Sequence, residues 1–483
     1  MLDAVFAFID DFIALFIVLE IILITVMVVA ERADPLKALI WIFVLLILPF
    51  IGFILYLFVG QTFYANHTFK LKGVKDSEIE QVNEIETELI DTDTAMGEDS
   101  ARFARTIKAT GGKGYSTNNG VTLYTDGKGM FDELYSDLRN AKSFIHFEYY
   151  IIRDDKLGNE LVKILTQKVK EGVEVKLLTD AFGNGKGPHK SIEEFKKAGG
   201  EFDTFHRVGT LLLSPKKNNR NHRKIAIIDG DIAYCGGFNI GDEYVGEGPL
   251  GYWRDSTVRV RGATCAALET RFAMDWTYAS KKDLPRDNKY LPTSIFNNYG
   301  DVRIQTVSGG PDVAGNNPVL MQYLELIRSA KDTLWIHTPY LVPNESVSDA
   351  LKLASASGVD VRIIIPDKPD HPFVYWNNVS SANRLMKDGI RVFMYNRGFV
   401  HSKTIVVDGK YCSVGSANLD DRSLVLNFET NLMIYSEDVG AQMDKAFADD
   451  LGYCTEYSVE AYSKRGFGAK LKIVISKLFK TMS

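Results

Sequence analysis

No lysine or arginine occurs in the 483-residue chain before Arg32. Asp3, Asp10 and Asp11 precede the first apolar run, which is the wrong charge for a secretory leader. Cysteine is scarce. Cys235, Cys265, Cys412 and Cys454 are widely separated, with no CxxC and no Cys/His ligand spacing. That argues against a disulfide framework and a zinc site, and fits a reducing compartment. A net basic charge is lacking too. At −6, the chain has no bulk attraction for nucleic acid, although a local basic patch can still meet a phosphate. Charge of either sign is missing from Ala38 to Val59, a run of 22 residues.

At ~1.5 Å per residue that run is long enough to cross a hydrocarbon core of ~30 Å. An earlier run, Phe12 to Ala30, is apolar except for Glu20 and Thr25, and ERADPLK joins the two. The pattern predicts a two-span transmembrane hairpin over residues 1–65. Lys70, Lys72 and Lys75 then favour a cytoplasmic body, with Arg32 and Lys37 in the link opposing. Glu20 lies mid-span. It reads either as a functional ionisable group or as a protonated carboxyl bonded to the second helix or to another copy of the chain.

Asp76 to Ala101 holds ten acidic residues and no basic one, which predicts a solvated linker over residues 66–115. A body follows to Tyr457. FIHFEYYII reads as a strand, GNELVKILTQKVKEG as an amphipathic helix and VEVKLLTD as a strand, the alternation of an α/β domain. GNGKG at Gly183 lacks phosphate-loop spacing and reads as a turn near the pocket. TLLLSP at Thr210 reads either as a loop dipping into a bilayer or as a packed one. The tail, residues 458–483, sets Lys470, Lys472, Lys477 and Lys480 among Leu471, Ile473, Val474, Ile475, Leu478 and Phe479. It is a basic amphipathic helix, either at an anionic lipid surface or packed on the body.

The body is duplicated. AKSFIHFEYYI at Ala141 matches AKDTLWIHTPYLV at Ala330, and GVEVKLLTD at Gly172 matches GVDVRIIIPD at Gly358. HRKIAIIDGDIAYCGGFNI at His222 matches HSKTIVVDGKYCSVGSANL at His401, with offsets drifting from 189 through 186 to 179. Two homologous α/β halves, residues 116–295 and 296–457, are expected. A pseudo-two-fold pairing brings both motifs to one interface.

In a strand, residues two apart share a face, so His222 points with Lys224 and His401 with Lys403. GGFN and GSAN follow each motif, and their small residues suit close approach of backbone N–H groups and the Asn239 and Asn418 amides to an anion. Two imidazoles facing across a pocket suit displacement at a phosphodiester. One attacks phosphorus and the other donates, then accepts, a proton. Two lysines and two asparagines offset the oxygen charge. No metal or other cofactor is required.

The paired HxKxxxxD motif resembles the signature of the phospholipase D superfamily. With the two apolar runs, YYII, GYWRD, TPYLVPNE and GFVHSKTIVVDGKYCSVGSANLDDRSLVLNFE, the chain is similar more narrowly to the membrane-bound bacterial cardiolipin synthases. The resemblance implies two phospholipase D-like halves packed pseudo-symmetrically. It implies conversion of two phosphatidylglycerols to cardiolipin and glycerol, and a cell-membrane location. The catalytic residues carried over are His222, Lys224, Asp229, His401, Lys403 and Asp408, with Asn239 and Asn418 binding phosphate. The superfamily gives the motif aspartates a structural role, and their strand-end position suits bonds to backbone N–H groups. It favours His222 as nucleophile. Each histidine needs an orienting carboxylate, and the order along the chain assigns Asp255 to His222 and Glu429 to His401. A lipid hydrolase remains open, using water as acceptor. A nuclease using the basic KKNNRNHRK segment and a non-enzymatic membrane scaffold are the further alternatives. Anionic phospholipid, not nucleic acid, is the expected partner.

Overall fold

Continuous apolar runs in Lys224–Ile228 and Thr404–Val407 make strands buried on both faces, each at the middle of a half. The computed structural model describes residues 17–29, 35–48, 51–53, 56, 72, 97–205, 219–284, 288–313 and 317–478. The chain divides into two compact units, one of residues 1–72 with 206–218, the other of residues 73–205 with 219–483.

In the larger unit a 15-stranded mixed sheet runs through both halves. From the centre outward, the first half contributes Tyr115–Tyr124, Thr257–Arg261, Ile232–Gly236, Lys224–Ile228, Phe144–Tyr149, Glu174–Asp180 and Glu201–Phe205. The second contributes Val302–Gly309, Glu429–Tyr435, Tyr411–Gly415, Thr404–Val407, Thr333–His337, Asp360–Pro366 and Arg391–Tyr395 in the same order, then Cys454–Tyr457 at the edge. The halves join where Tyr115–Tyr124 pairs antiparallel with Val302–Gly309. In each half the three strands beyond the motif strand run parallel to one another and are linked by helices, as expected of covered strands, while the edge strand Cys454–Tyr457 is antiparallel. One such helix, Lys156–Lys170, starts where Asp155 accepts the Gly158 N–H and buries Leu161, Val162 and Leu165. The internal duplication is thus a duplication of strand order.

Both motif strands end in the same turn. Asp229 and Gly230 have φ of 53° and 70°, and Asp408 and Gly409 have 51° and 61°. Asp231 N donates to Ile228 O at 3.2 Å, and Lys410 N to Val407 O at 2.9 Å. Two consecutive left-handed residues in a two-residue hairpin match the twist of the paired strands.

One expectation is corrected at the body's start. Glu98–Ala109, placed in the linker by its acidic surroundings, is a helix that buries Phe103, Ala104 and Ile107. These pack with Val319, Tyr323 and Leu326 in the core of the second half. Residues 73–96 of the expected tether lie outside the described residues, as does TLLLSP.

In the smaller unit, residues 17–29 are helical, and Pro35–Ile47 forms a 13-residue helix. Met27, Leu45 and Tyr56 are buried together against Ile24, Trp41 and Phe53. Ile21, Leu39, Phe43 and Leu46 are exposed. Among the described residues no helix is long and apolar enough to cross a membrane. The expected spans extend into residues outside those described.

Candidate active site

Two short parallel pairings cross from one half to the other and place the histidines. His222 N donates to Phe428 O at 2.9 Å, and Phe428 N to Arg220 O at 2.8 Å. Symmetrically, Gly398–Val400 pairs with Tyr252–Arg254, and His401 N donates to Arg254 O at 2.7 Å. The segment leading into each histidine is therefore tied to the segment leading into the other half's candidate carboxylate.

The carboxylate assignment is corrected by this crossing. His222 Nδ1 lies 3.0 Å from Glu429 Oε2, and His401 Nδ1 lies 2.6 Å from Asp255 Oδ2. Each orienting carboxylate comes from the opposite half, not from its own. Both carboxylates are fully buried. Glu429 also accepts from the Ser416 hydroxyl at 2.6 Å and the Ser423 hydroxyl at 2.8 Å, and Asp255 accepts from Ser256 N at 2.7 Å. Burial pushes both carboxyls up. The neighbouring imidazoles and lysines outweigh it and hold them below the usual range, so both are ionised.

His222 Nδ1 faces two acceptors, Glu429 and the Ser416 carbonyl at 3.1 Å. Nδ1 must therefore carry the proton, leaving the Nε2 lone pair free. His401 is more crowded, with the Tyr244 hydroxyl at 3.2 Å and Lys403 Nζ at 2.8 Å from its Nδ1. Burial lowers the pKa of both histidines, opposed by the carboxylates and assisted by the lysines. His401 falls to about 3. Both rings are neutral at pH 7.

Lys224 and Lys403 do sit with their histidines. Each ammonium folds back to the carbonyl of its own histidine, Lys224 at 2.5 Å. Lys224 also lies 5.3 Å from the centre of the Tyr150 ring. Burial, opposed by Glu429 for Lys224 and by Asp255 for Lys403, lowers these lysines to about 7 and about 8. Asn239 Nδ2 donates to the Tyr244 hydroxyl at 3.0 Å. The side-chain oxygens of Asn239 and Asn418 are buried without a hydrogen-bond partner among the described residues.

GGFN and GSAN differ for a reason that the sequence did not reveal. A Cβ on Gly237 would lie 2.1 Å from Asp255 Oδ1, so glycine makes room for the short carboxylate. Its counterpart Ser416 instead supplies a hydroxyl to the longer Glu429. The small residues here shape the carboxylate pocket.

The motif aspartates face away from the imidazoles. Asp229 accepts the N–H groups of Lys142, Ser143 and Phe144 at 2.7–3.0 Å. Asp408 accepts those of Lys331, Asp332 and Thr333 at 2.8–2.9 Å. Each carboxylate caps the start of the neighbouring strand.

Several residues of the site were missed. The Tyr150 ring lies 4.9 Å from His222, and Tyr244 and Trp253 rings lie 5.8 and 5.4 Å from His401. Tyr150 and Trp253 fall inside YYII and GYWRD, which were noted only as likenesses. The spacer residues also act. Arg223 donates to Thr430 Oγ1 at 3.0 Å and Asp275 at 2.6 Å. Ser402 bonds Ser256 at 2.9 Å and Arg254 at 3.0 Å, and Arg254 pairs with Asp450 at 2.6 Å. These ties clamp the two halves at the pseudo-dyad. The Gly183–Lys186 turn closes over Asp180, which accepts Asn221 N at 3.0 Å and so braces the segment before His222.

A family model described as cardiolipin synthase, PLD-like domain matches residues 134–276 and 323–451, one segment in each half. A second, described as phospholipase D-nuclease N-terminal, matches residues 12–61. A protein named cardiolipin synthase 2 from Staphylococcus epidermidis is 38% identical over 467 residues, 95% of each chain. One named cardiolipin synthase from Oceanobacillus iheyensis is 40% identical over 471 residues, 95% of this chain and 96% of that one. The crystal structure of a phosphatidylserine synthase from Haemophilus influenzae shares the fold, with a TM-score of 0.57 at 16% identity over 75% of this chain and 92% of that one. Paired motifs, matching halves and full-length likeness agree: the chain belongs to the cardiolipin synthase family of phospholipase D-like proteins.

Proposed function

We propose that the chain is a phosphatidyltransferase that condenses two phosphatidylglycerols into cardiolipin and glycerol through a phosphatidyl-histidine intermediate. The observation that carries the reading is the pair of neutral imidazoles, each held through Nδ1 by a buried carboxylate of the other half. His222 is the nucleophile, because its Nδ1 faces only acceptors and its Nε2 lone pair is committed to attack. Nε2 bonds to phosphorus and the phosphorus–oxygen bond to glycerol breaks. His401 gives its proton to that oxygen. His401 is neutral in the free enzyme; the negative charge of the bound phosphodiester favours the imidazolium, which takes its proton from solvent before the step. Neutral His401 then takes the proton of a hydroxyl on the second phosphatidylglycerol, and that oxygen displaces His222. Lys224, Lys403, Asn239 and Asn418 offset charge on the non-bridging oxygens.

The names of the full-length relatives favour an alcohol over water as second acceptor. The match over residues 12–61 and the exposed apolar side chains of Pro35–Ile47 support a membrane-anchored protein with two spans. Incubating the purified full-length chain with phosphatidylglycerol labelled in its terminal glycerol tests the reading. Cardiolipin and labelled glycerol should form one to one. Phosphatidic acid as the main lipid product would make the protein a hydrolase.

A further inference from the structure

The C-terminal helix Phe467–Leu478 satisfies both readings of its sequence at once, on opposite faces. Its inward face carries Ile473, 2% exposed, and Ser476, fully buried. Ile473 joins the hydrophobic core beside Val379, Ala382 and Leu385 of the helix Pro372–Met386. Two cations fasten the same junction. Lys472 Nζ lies 5.6 Å from the Trp376 ring centre, and Arg465 donates to the Tyr457 hydroxyl at 2.7 Å while stacking 5.6 Å from Trp376. The helix is thus fixed to the body by one side.

The outward face holds Phe467, Leu471, Val474 and Ile475, exposed by 82, 47, 58 and 39%. Their spacing of four, three and one puts them on a single stripe. Within the same helix Lys470 and Lys477 flank the stripe on one side and Lys472 on the other, all exposed. A soluble surface rarely keeps a contiguous apolar stripe without a use. The basic border selects among possible covers, because flanking ammonium groups complement anionic head groups when apolar side chains enter the acyl boundary.

We infer that this face is a membrane-contact surface specific for an anionic bilayer, with Phe467, Leu471, Val474 and Ile475 inserted and Lys470 and Lys477 at head-group level. It is a contact separate from the apolar N-terminal segments and independent of the reaction assigned above. A body fastened to this helix by Ile473 is then held in a fixed orientation on the lipid surface.

The test uses the full-length chain with Val474→Cys carrying an environment-sensitive fluorophore, in a Cys454→Ser background. The other three cysteines are buried. The probes are vesicles of phosphatidylglycerol and phosphatidylcholine containing lipids spin-labelled at a shallow acyl position. The expected result is a blue-shifted emission quenched by those lipids, absent in pure phosphatidylcholine. A control label at Leu353→Cys, 71% exposed on the helix Glu345–Ala356, should remain unquenched. Replacing Lys470 and Lys477 by Gln should lower the docking equilibrium by about fivefold per lysine. Emission as in water, or equal quenching in neutral and anionic vesicles, would overturn the inference. A blue shift without lipid quenching would overturn it too. Dependence of that shift on protein concentration would then assign the stripe to a second copy, and independence to another part of this chain.

Discussion

Replacing Asp255 by Asn and Glu429 by Gln separates the two chemical steps, and the crossing of the halves decides which step each one damages. Both substitutions keep shape and remove charge. Glu429 is the acceptor that fixes the His222 tautomer at 3.0 Å, and Asp255 sits 2.6 Å from His401 and 3.8 Å from Lys403. An amide in either place loses the charge-assisted bond and presents an N–H where the imidazole proton should point. Loss of such a partner removes most of what a positioned acid–base or nucleophilic group supplies, about 10²–10⁴-fold. That corresponds to about 3–5 kcal/mol of barrier. The assay uses a phosphatidyl ester of 4-nitrophenol, whose leaving group needs no proton. Glu429→Gln should slow the nitrophenolate burst by that factor, because His222 attack is impaired. Asp255→Asn should retain a burst near the wild-type rate and then stall, because His401 can no longer activate the incoming alcohol. The reverse pattern, with the burst lost in Asp255→Asn and kept in Glu429→Gln, would refute either the crossed pairing or His222 as nucleophile. Circular dichroism on both variants separates a chemical effect from unfolding.

Gly237→Ala should cut activity by about 10²-fold with the fold retained, since its Cβ would meet Asp255 Oδ1 at 2.1 Å and displace the His401 partner; activity within threefold of wild type would contradict the packing argument. Asp229→Asn keeps a residue tolerant of the left-handed turn but removes the charge that three backbone N–H groups share. It should lower stability by about 2 kcal/mol in urea unfolding and leave turnover per folded molecule nearly unchanged. The kcat/KM of the wild type should fall as pH rises through about 7–8. Lys224 and Lys403 have lowered folded-state pKa values there, so each loses its proton on that limb. Bound phosphate favours the ammonium form, so the same limb in kcat should lie higher. A kcat/KM flat to pH 9.5 would show that neither lysine titrates in the free enzyme.

The duplicated fold was legible because strand periodicity and repeat order survive in sequence. Three ordered matches between Ala141 and Asn418 foretold two halves with the same strand order. The structural part of the motif aspartates was legible too, since a carboxylate at a strand end is placed to bond backbone N–H groups. The pairing of carboxylates with histidines was not. Asp255 and Glu429 lie 33 and 28 residues after His222 and His401, and a distance along the chain says nothing about which half a strand end meets across a pseudo-dyad. The one local trace of the crossing was the mismatch of Gly237 with Ser416, intelligible only once Asp255 and Glu429 are placed beside them. Glu98–Ala109 was hidden by its neighbours. The acidic count from Asp76 onward outweighed the spacing of Phe103, Ala104 and Ile107, which is that of a buried helical face. The tail offered two readings because a 12-residue helix has room for two faces, and Ile473 and Ser476 pack inward where Phe467, Leu471, Val474 and Ile475 do not.

In the proposed mechanism His222 carries the phosphatidyl group between one lipid and the next. Acid-free quenching of His401→Ala after exposure to the nitrophenyl ester, followed by mass spectrometry of the peptide containing residues 221–224, tests it most directly. A phosphatidyl adduct on His222 should persist in His401→Ala, and none should form in His222→Ala. An adduct on His401 in the wild type, or an unmodified His222 while nitrophenolate is released in a burst, would contradict it.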